Sequence, residues 1–288
     1  MTSPDSRSTR YGSGKSVRRV EDDALLTGRG QFADDFSLPG QALLHVLRSP
    51  HPHARIASID ATAAAAMPGV VAILTGEDLV GAGVRPLVSS ADFRRADGSP
   101  TAAPPQHALA VGTVRYVGEA VAAIVAETMH QARDAAEAVD VRYEPLPSVA
   151  DASAAVAPGA PLVWPAATGN VACEMRHGHA AKVADAFARA AHTVSLDLVN
   201  QRVIPAPIEP RATLASVDAA SGRLTLRVSC QTPTGLRDEL ADEVLGIPPE
   251  SVRVVVGDVG GGFGMKTTLY PEDVLAAHCA RTLARPVK

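Results

Sequence analysis

The densest concentration of chemically suggestive residues is Gly257-Asp258-Val259-Gly260-Gly261-Gly262-Phe263-Gly264-Met265-Lys266. Glycines around a single phenylalanine let the backbone take positive φ without a Cβ penalty and approach a ligand closely. The stretch follows alternating Val252, Val254 and Val256, a strand pattern, and precedes a helical pattern running from about Glu272 to Leu283. A glycine-rich turn leading into a helix N-terminus offers free N–H groups to an anion. The anion is not marked as a nucleotide phosphate. The third position of a GxGxxG register falls on Met265 or Thr267, and Gly14-Lys15 has no P-loop glycine five residues before it.

Gln231 is the natural companion of this loop. Leu224, Leu226, Val228 and Cys230 share one face of a predicted strand that delivers Gln231 at its end. Thr232 then suits a helix cap with Pro233 in the first position, Leu236, Leu240 and Val244 form the apolar stripe, and Gly246 stops the helix. Both segments leave the C-terminal ends of strands, where α/β ligands sit. Gln231 is therefore either a solvated loop residue or an amide donor aimed into the same cleft. Glu209, between Pro207 and Pro210, is the other well-placed carboxylate. One acid without a paired base assigns no general acid–base chemistry.

Metal-ligand patterns are weak. His51-Pro52-His53 and His177-Gly178-His179 place histidines two apart, but proline and glycine make them turns, and no third ligand is nearby. Cys173, Cys230 and Cys279 are far apart with no CxxC, so this chain alone should hold neither zinc nor an iron–sulfur cluster.

The elements that must position these residues read as interleaved strands and helices, an α/β or α+β fold. Strands are predicted around Ala42–Arg48, Val70–Leu74, Val121–Val125 and Val139–Tyr143, with an alternating strand at Val194, Leu196 and Leu198. Helices are predicted after Ile59, after a Thr128/Gln131 capping box, and over Val183–Ala191. Residues 81–106 read as a long loop. The proline-rich stretch 151–165 is a linker between domains at 16–150 and 166–288, after a disordered terminus at 1–15. At 288 residues and 46% hydrophobic, the chain can bury real cores, yet no window reaches the roughly 18 apolar residues of a membrane span. A net charge of −4 with no basic cluster excludes a nucleic-acid binder. The free thiols suit a reducing cytoplasm, and Glu21-Asp22-Asp23 after Arg18-Arg19 argues against a twin-arginine signal.

In order and spacing, these residues resemble the molybdopterin-binding large subunit of the xanthine dehydrogenase / aldehyde oxidase / carbon monoxide dehydrogenase family. The resemblance runs through Ser16–Asp22, Leu26–Phe32, Arg48–Ile56, Leu74–Leu79, Val117–Ala122 and Tyr143–Pro147 to Asn200–Arg202, Pro207–Pro210, Gln231 and the glycine loop. It implies an α/β hammerhead domain followed by the start of the first molybdenum-cofactor-binding domain. It also implies that Gln231 hydrogen-bonds an oxo ligand of molybdenum, while Gly261, Gly262, Phe263 and Gly264 lie against the metal and pterin. The implied cofactor is molybdenum-molybdopterin in its cytosine dinucleotide form. FAD and 2Fe-2S clusters would reside on medium and small partner subunits. The implied reaction is oxidation of an aldehyde, carbon monoxide or an N-heterocycle with water-derived oxygen.

Two departures qualify the resemblance. Purine-oxidising members carry a glutamate after the loop lysine, where this chain has Thr267. Family large subunits are also far longer, and their catalytic glutamate lies beyond the span matched here, so no catalytic residue is expected in this chain. A strand pattern begins at Arg285-Pro286-Val287-Lys288, which reads as a domain cut short. The missing C-terminal part would then come from another polypeptide. The alternative is a non-catalytic truncated remnant that at most associates with partner subunits.

Overall fold

In a computed structural model, residues 18–87, 89, 93–95, 97–201 and 203–288 are described. The expected disorder at 1–15 lies outside them. The first half holds α1 (Asp22–Leu26), β1 (Leu43–Arg48), β2 (Ala54–Asp60), α2 (Thr62–Ala65), β3 (Val70–Thr75) and α3 (Gly76–Gly81). It continues with β4 (Thr113–Val114), β5 (Ala120–Ala126), α4 (Met129–Glu137), β6 (Asp140–Pro145) and α5 (Ala152–Ala155). The second half holds α6 (Ala180–Arg189), β7 (Thr213–Val217), β8 (Leu224–Val228), α7 (Pro233–Asp238), β9 (Val252–Val255) and α8 (Pro271–Leu283).

β5 is the pivot. Its unbroken apolar run, Ala-Val-Ala-Ala-Ile-Val-Ala, is wholly buried, as a strand covered on both faces must be. It lies between β1 and β3, antiparallel to both. On one face Ala132, Ala135 and Ala136 of α4 meet Ala122, Ile124 and Ala126. The small side chains let helix and sheet approach closely, offsetting the shortage of aromatics. On the other face Ala123 and Val125 join a core shared with β8 and with Val274, Leu275, Ala277 and Cys279 of α8. The two halves of the chain thus share one hydrophobic core.

A second antiparallel sheet, β4-β2-β6, packs Ala54 and Val114 against Val121. The third, β7-β8-β9, pairs β8 antiparallel to β7 and parallel to β9. A parallel pair needs a crossover, and α7 with its continuation supplies it. Pro286–Lys288 fastens the third sheet to the first: Ala42 N–H donates to Pro286 O at 2.8 Å and Val287 N–H to Ala215 O at 2.9 Å.

Several expectations change. Val194, Leu196 and Leu198 form no strand and are 92%, 76% and 80% exposed, because no described strand lies beside them to receive the alternating face. The helix after Pro233 passes into a π-helical stretch at Glu239–Leu245 before Gly246 ends it with φ 61°. Thr232 does not cap α7 through its side chain; its hydroxyl donates to Thr267 O at 2.7 Å. The proline-rich stretch is packed against its surroundings. Asn170 Nδ2 donates to Ala155 O and Pro161 O, and the Arg115 guanidinium stacks 3.4 Å from the Trp164 ring centre. At Thr128 the cap is present, but Gln131 bonds the Thr128 hydroxyl (2.9 Å) rather than its backbone.

Candidate functional site

The glycine loop connects β9 to α8 and is tied down at both ends. At its start, Gln31 N–H donates to Asp258 Oδ2 (2.7 Å) and Asp258 N–H to Gln31 O (3.1 Å). Gly257 cannot gain a side chain there, since a Cβ would sit 2.9 Å from Gln31 O. At its end, the Tyr270 hydroxyl donates to Met265 O at 2.5 Å. Asp273, in the first turn of α8, accepts from Tyr270 N–H at 3.1 Å.

Between these anchors lies a buried ion pair. Lys266 is only 1% exposed. Its ammonium reaches Glu209 Oε2 (2.8 Å), Glu209 O (2.9 Å) and Ser229 Oγ (2.8 Å), so all three N–H donors are used. Glu209 Oε2 also accepts from Gly260 N–H (2.8 Å) and from the Ser229 hydroxyl (2.7 Å). Burial pushes the Glu209 pKa up, but hydrogen bonds from Lys266, Ser229 and Gly260 outweigh it and hold the carboxyl below its usual range. Glu209 is thus an ionised clamp that fixes the loop, not a free acid or base. A Cβ at Gly260 would fall 2.5 Å from Glu209 Cβ, so the clamp requires glycine there.

Gln231 grips the other side of the loop. Its N–H donates to Lys266 O at 2.7 Å, and its Oε1 accepts from Gly264 N–H (3.1 Å) and Lys266 N–H (3.3 Å). Using Oε1 as the acceptor fixes the amide orientation and leaves Nε2 as a donor with no partner among the described residues. The backbone N–H groups of Gly261, Gly262 and Phe263 are likewise unpaired among them. Gly262 and Gln231 are in tight contact, since a Cβ at Gly262 would lie 2.4 Å from Gln231 Cδ.

Phe263 has φ 51° and is 74% exposed. A non-glycine residue in the left-handed region costs on the order of 1–3 kcal/mol, and this one gains no burial in return. The loop therefore presents an aromatic beside a row of donors, a geometry suited to an oxyanionic group with an apolar neighbour.

The structure brings Gln231, Gly261, Gly262, Phe263 and Gly264 together. It also joins Glu209 to the loop, in a supporting role that sequence reasoning did not find. The available signal was Lys266 itself, a lone lysine in a glycine-rich turn. The histidine pairs do not assemble into a site. His53 Nδ1 bonds Pro147 O at 2.8 Å, and His51 packs 4.8 Å from the Tyr143 ring. Among the described residues there is no group of three or more His, Cys, Asp or Glu that could hold a metal. No helix among them is long and apolar enough to cross a membrane.

Comparison with known proteins places these features. Residues 27–147 match the family model described as aldehyde oxidase and xanthine dehydrogenase, a/b hammerhead domain, and residues 163–288 match molybdopterin cofactor-binding domain. The chain is 36% identical over 275 residues to the 6-hydroxypseudooxynicotine dehydrogenase complex subunit gamma of Paenarthrobacter nicotinovorans, covering 96% of this chain and 34% of that one. It is 36% identical over 290 residues to the carbon monoxide dehydrogenase large chain of Afipia carboxidovorans, again covering 96% and 34%. The crystal structure of quinoline 2-oxidoreductase from Pseudomonas putida 86 superposes with a TM-score of 0.85 at 36% identity, over 95% of this chain and 34% of that one. The chain thus spans about a third of the length of these relatives. With its hammerhead fold, glycine loop and matched segments, the chain belongs to the xanthine dehydrogenase / aldehyde oxidase / carbon monoxide dehydrogenase family, corresponding to the N-terminal portion of its molybdopterin-binding large subunits.

Proposed function

We propose that this chain forms one wall of a molybdenum–pterin site, with Gln231, Gly261, Gly262, Phe263 and Gly264 facing the cofactor. The carrying observation is that Gln231 Nε2 and the N–H groups of Gly261, Gly262 and Phe263 have no partner among the described residues, on a loop fixed by a buried ion pair. A donor set of this kind, with no carboxylate free among it, fits an oxo-bearing anionic centre. When bound, the cofactor supplies the oxygen-atom and electron chemistry. The chain's own residues bind and orient. Gln231 donates from Nε2, the backbone amides hold negative charge at fixed positions without reorganisation, and Phe263 shields one side from water.

The activity that follows is that of a molybdenum hydroxylase large subunit, oxidising an aldehyde, carbon monoxide or an N-heterocycle with oxygen drawn from water. On this reading the electrons released would be taken up by FAD and 2Fe-2S subunits, and the cofactor would be of the cytosine dinucleotide form. Support comes from the relatives, among them a carbon monoxide dehydrogenase large chain and a nicotine 6-hydroxylase large subunit. Thr267 in place of glutamate after the loop lysine disfavours purines. The remaining walls of the site must come from polypeptide corresponding to the rest of those relatives.

A test is to assemble the complex with Gln231→Ala. The reading expects dye-linked oxidase turnover to fall at least about tenfold, the scale of one lost charge-assisted donor. Unchanged turnover and unchanged molybdenum content would remove Gln231 from the site. A chain that only associates with partner subunits, the second reading, is favoured by the exposed apolar run at Val194, Leu196, Leu198 and Val199; it predicts no molybdenum in any assembly.

A further inference from the structure

The Tyr270 hydroxyl, at the end of the glycine loop, donates to Met265 O at 2.5 Å. That carbonyl shares one peptide plane with Lys266 N–H, which donates to Gln231 Oε1 at 3.3 Å. Holding the oxygen on one side of a planar unit aims the N–H on the other. Gly264 N–H completes the grip on Oε1 at 3.1 Å. A carboxamide whose oxygen is held twice has the direction of its nitrogen fixed as well. Tyr270 therefore reaches Gln231 across a single peptide.

Tyr270 is itself held from two further sides. Its backbone N–H donates to Asp273 Oδ2 at 3.1 Å, and Asp273, only 3% exposed, also accepts from the Thr213 hydroxyl. The Arg211 guanidinium lies 3.4 Å from the Tyr270 ring centre, a cation over an aromatic face that fixes the ring plane. Arg211 pairs with Glu272 Oε2 at 3.3 Å, and Glu272 Oε1 accepts from Arg48 of β1. Arg48 is anchored on its own side by Gly118 O at 2.9 Å. Burial pushes the Glu272 pKa up, but the Arg48 hydrogen bond and the Arg211 charge hold it below its usual range, so the bridge is ionic. Arg48 and Gly118 lie in the segment matched to the hammerhead domain, and Arg211, Tyr270 and Glu272 in the segment matched to the cofactor domain.

We propose that Tyr270 is a positioning residue that sets the orientation of the Gln231 carboxamide, and that Arg48 of the hammerhead half holds Tyr270 in place through Glu272 and Arg211. The hammerhead half then does more than pack against its neighbour. It steadies the glycine loop through Arg48, Glu272, Arg211 and Tyr270 in turn. The Arg211–Glu272 link is the firmer ionic step, because those side chains are 24% and 27% exposed while Arg48 is 46% exposed and more strongly screened.

The test is residue-resolved amide hydrogen exchange on the assembled complex carrying Tyr270→Phe, Arg48→Met or Arg48→Lys. Tyr270→Phe should speed exchange at Lys266 at least about fivefold, the scale of one lost hydrogen bond. Gly260, whose N–H is held separately by Glu209 Oε2 at 2.8 Å, should keep the parent rate. Arg48→Met should speed Lys266 about twofold, as a half-exposed pair allows, and Arg48→Lys, which keeps the charge, should restore it. Arg55→Met, which opens an exposed pair with Glu144 on the second sheet, should leave Lys266 unchanged. Turnover is the second readout, and it alone rests on Gln231 facing the cofactor. Tyr270→Phe should lower turnover about fivefold in the parent and not at all on a Gln231→Ala background, since the two residues act as one unit. Parent-rate exchange at Lys266 in Tyr270→Phe, equal acceleration at Gly260, or additive losses of turnover overturns the proposal. Parent-rate exchange in Arg48→Met overturns the link to β1. Faster Lys266 exchange in Tyr270→Phe, combined with unchanged turnover in Gln231→Ala, supports the positioning and removes the cofactor reading instead.

Discussion

Replacing Lys266 by methionine tests the clamp on which the glycine loop depends. The lysine side chain is fully buried and the Glu209 side chain is 8% exposed, so solvent screens neither partner. Lys266→Met deletes three hydrogen bonds and leaves Glu209 ionised beside a neutral thioether, with only Gly260 N–H and the Ser229 hydroxyl still donating to Oε2. Breaking a buried pair from one side costs about 3–5 kcal/mol, mostly because the other charge is stranded. Glu209→Gln strands the lysine instead and should cost a comparable amount. The double variant strands neither charge. Its cost should therefore fall short of the summed single costs by about 2 kcal/mol, within the usual range for residues in contact. Urea unfolding of the four proteins, followed by circular dichroism, measures each cost and the coupling. A Lys266→Met protein within about 1 kcal/mol of the parent, with coupling near zero, would refute the claim that this pair fixes the loop.

The same carboxylate predicts a pH dependence. The folded-state pKa of Glu209 lies below its ordinary value, so its contribution to stability is complete above the unfolded-state value of about 4.3 and is lost as pH falls through the folded one. The stability gap between the parent and Glu209→Gln should accordingly narrow below about pH 4.3; a gap independent of pH would contradict the assignment. Thiol reactivity should be ordered by burial. Cys279 is fully buried with its pKa pushed up to about 12, burial also raises Cys230, and Cys173 is partly accessible. Brief alkylation at pH 8 with peptide mapping should label Cys173 first and leave Cys279 until unfolding; early labelling of Cys279 would disprove the packing of α8.

Much of the frame was legible because its signals are local. The apolar run of β5 stands out as a doubly covered strand, and the valines of β9, the glycine loop and the pattern of α8 follow in order. The resemblance added the fold of both halves, which the matched family models and the superposed relatives share. What stayed hidden is non-local. Glu209 and Lys266 stand 57 residues apart, and nothing in either's neighbours announces the other. A threonine before a proline is a good cap by composition, yet Thr232 turns to Thr267 O because the glycine loop returns beside it. The alternation at Val194, Leu196 and Leu198 describes a strand correctly as a pattern, but a strand also needs a neighbour. Periodicity is a property of a segment, and pairing is a property of the fold.

The most direct test of the central claim is the molybdenum and pterin content of the assembled complex carrying Gly262→Val. The new side chain would displace the Gln231 carboxamide and with it the bonds from Gly264 and Lys266 N–H, while the Glu209–Lys266 clamp is left in place. Gly262 needs no positive φ, so the chain should still fold. The account predicts that both molybdenum and pterin fall to a small fraction of the parent complex while circular dichroism and subunit assembly are retained. Full molybdenum and pterin occupancy in that variant would contradict it.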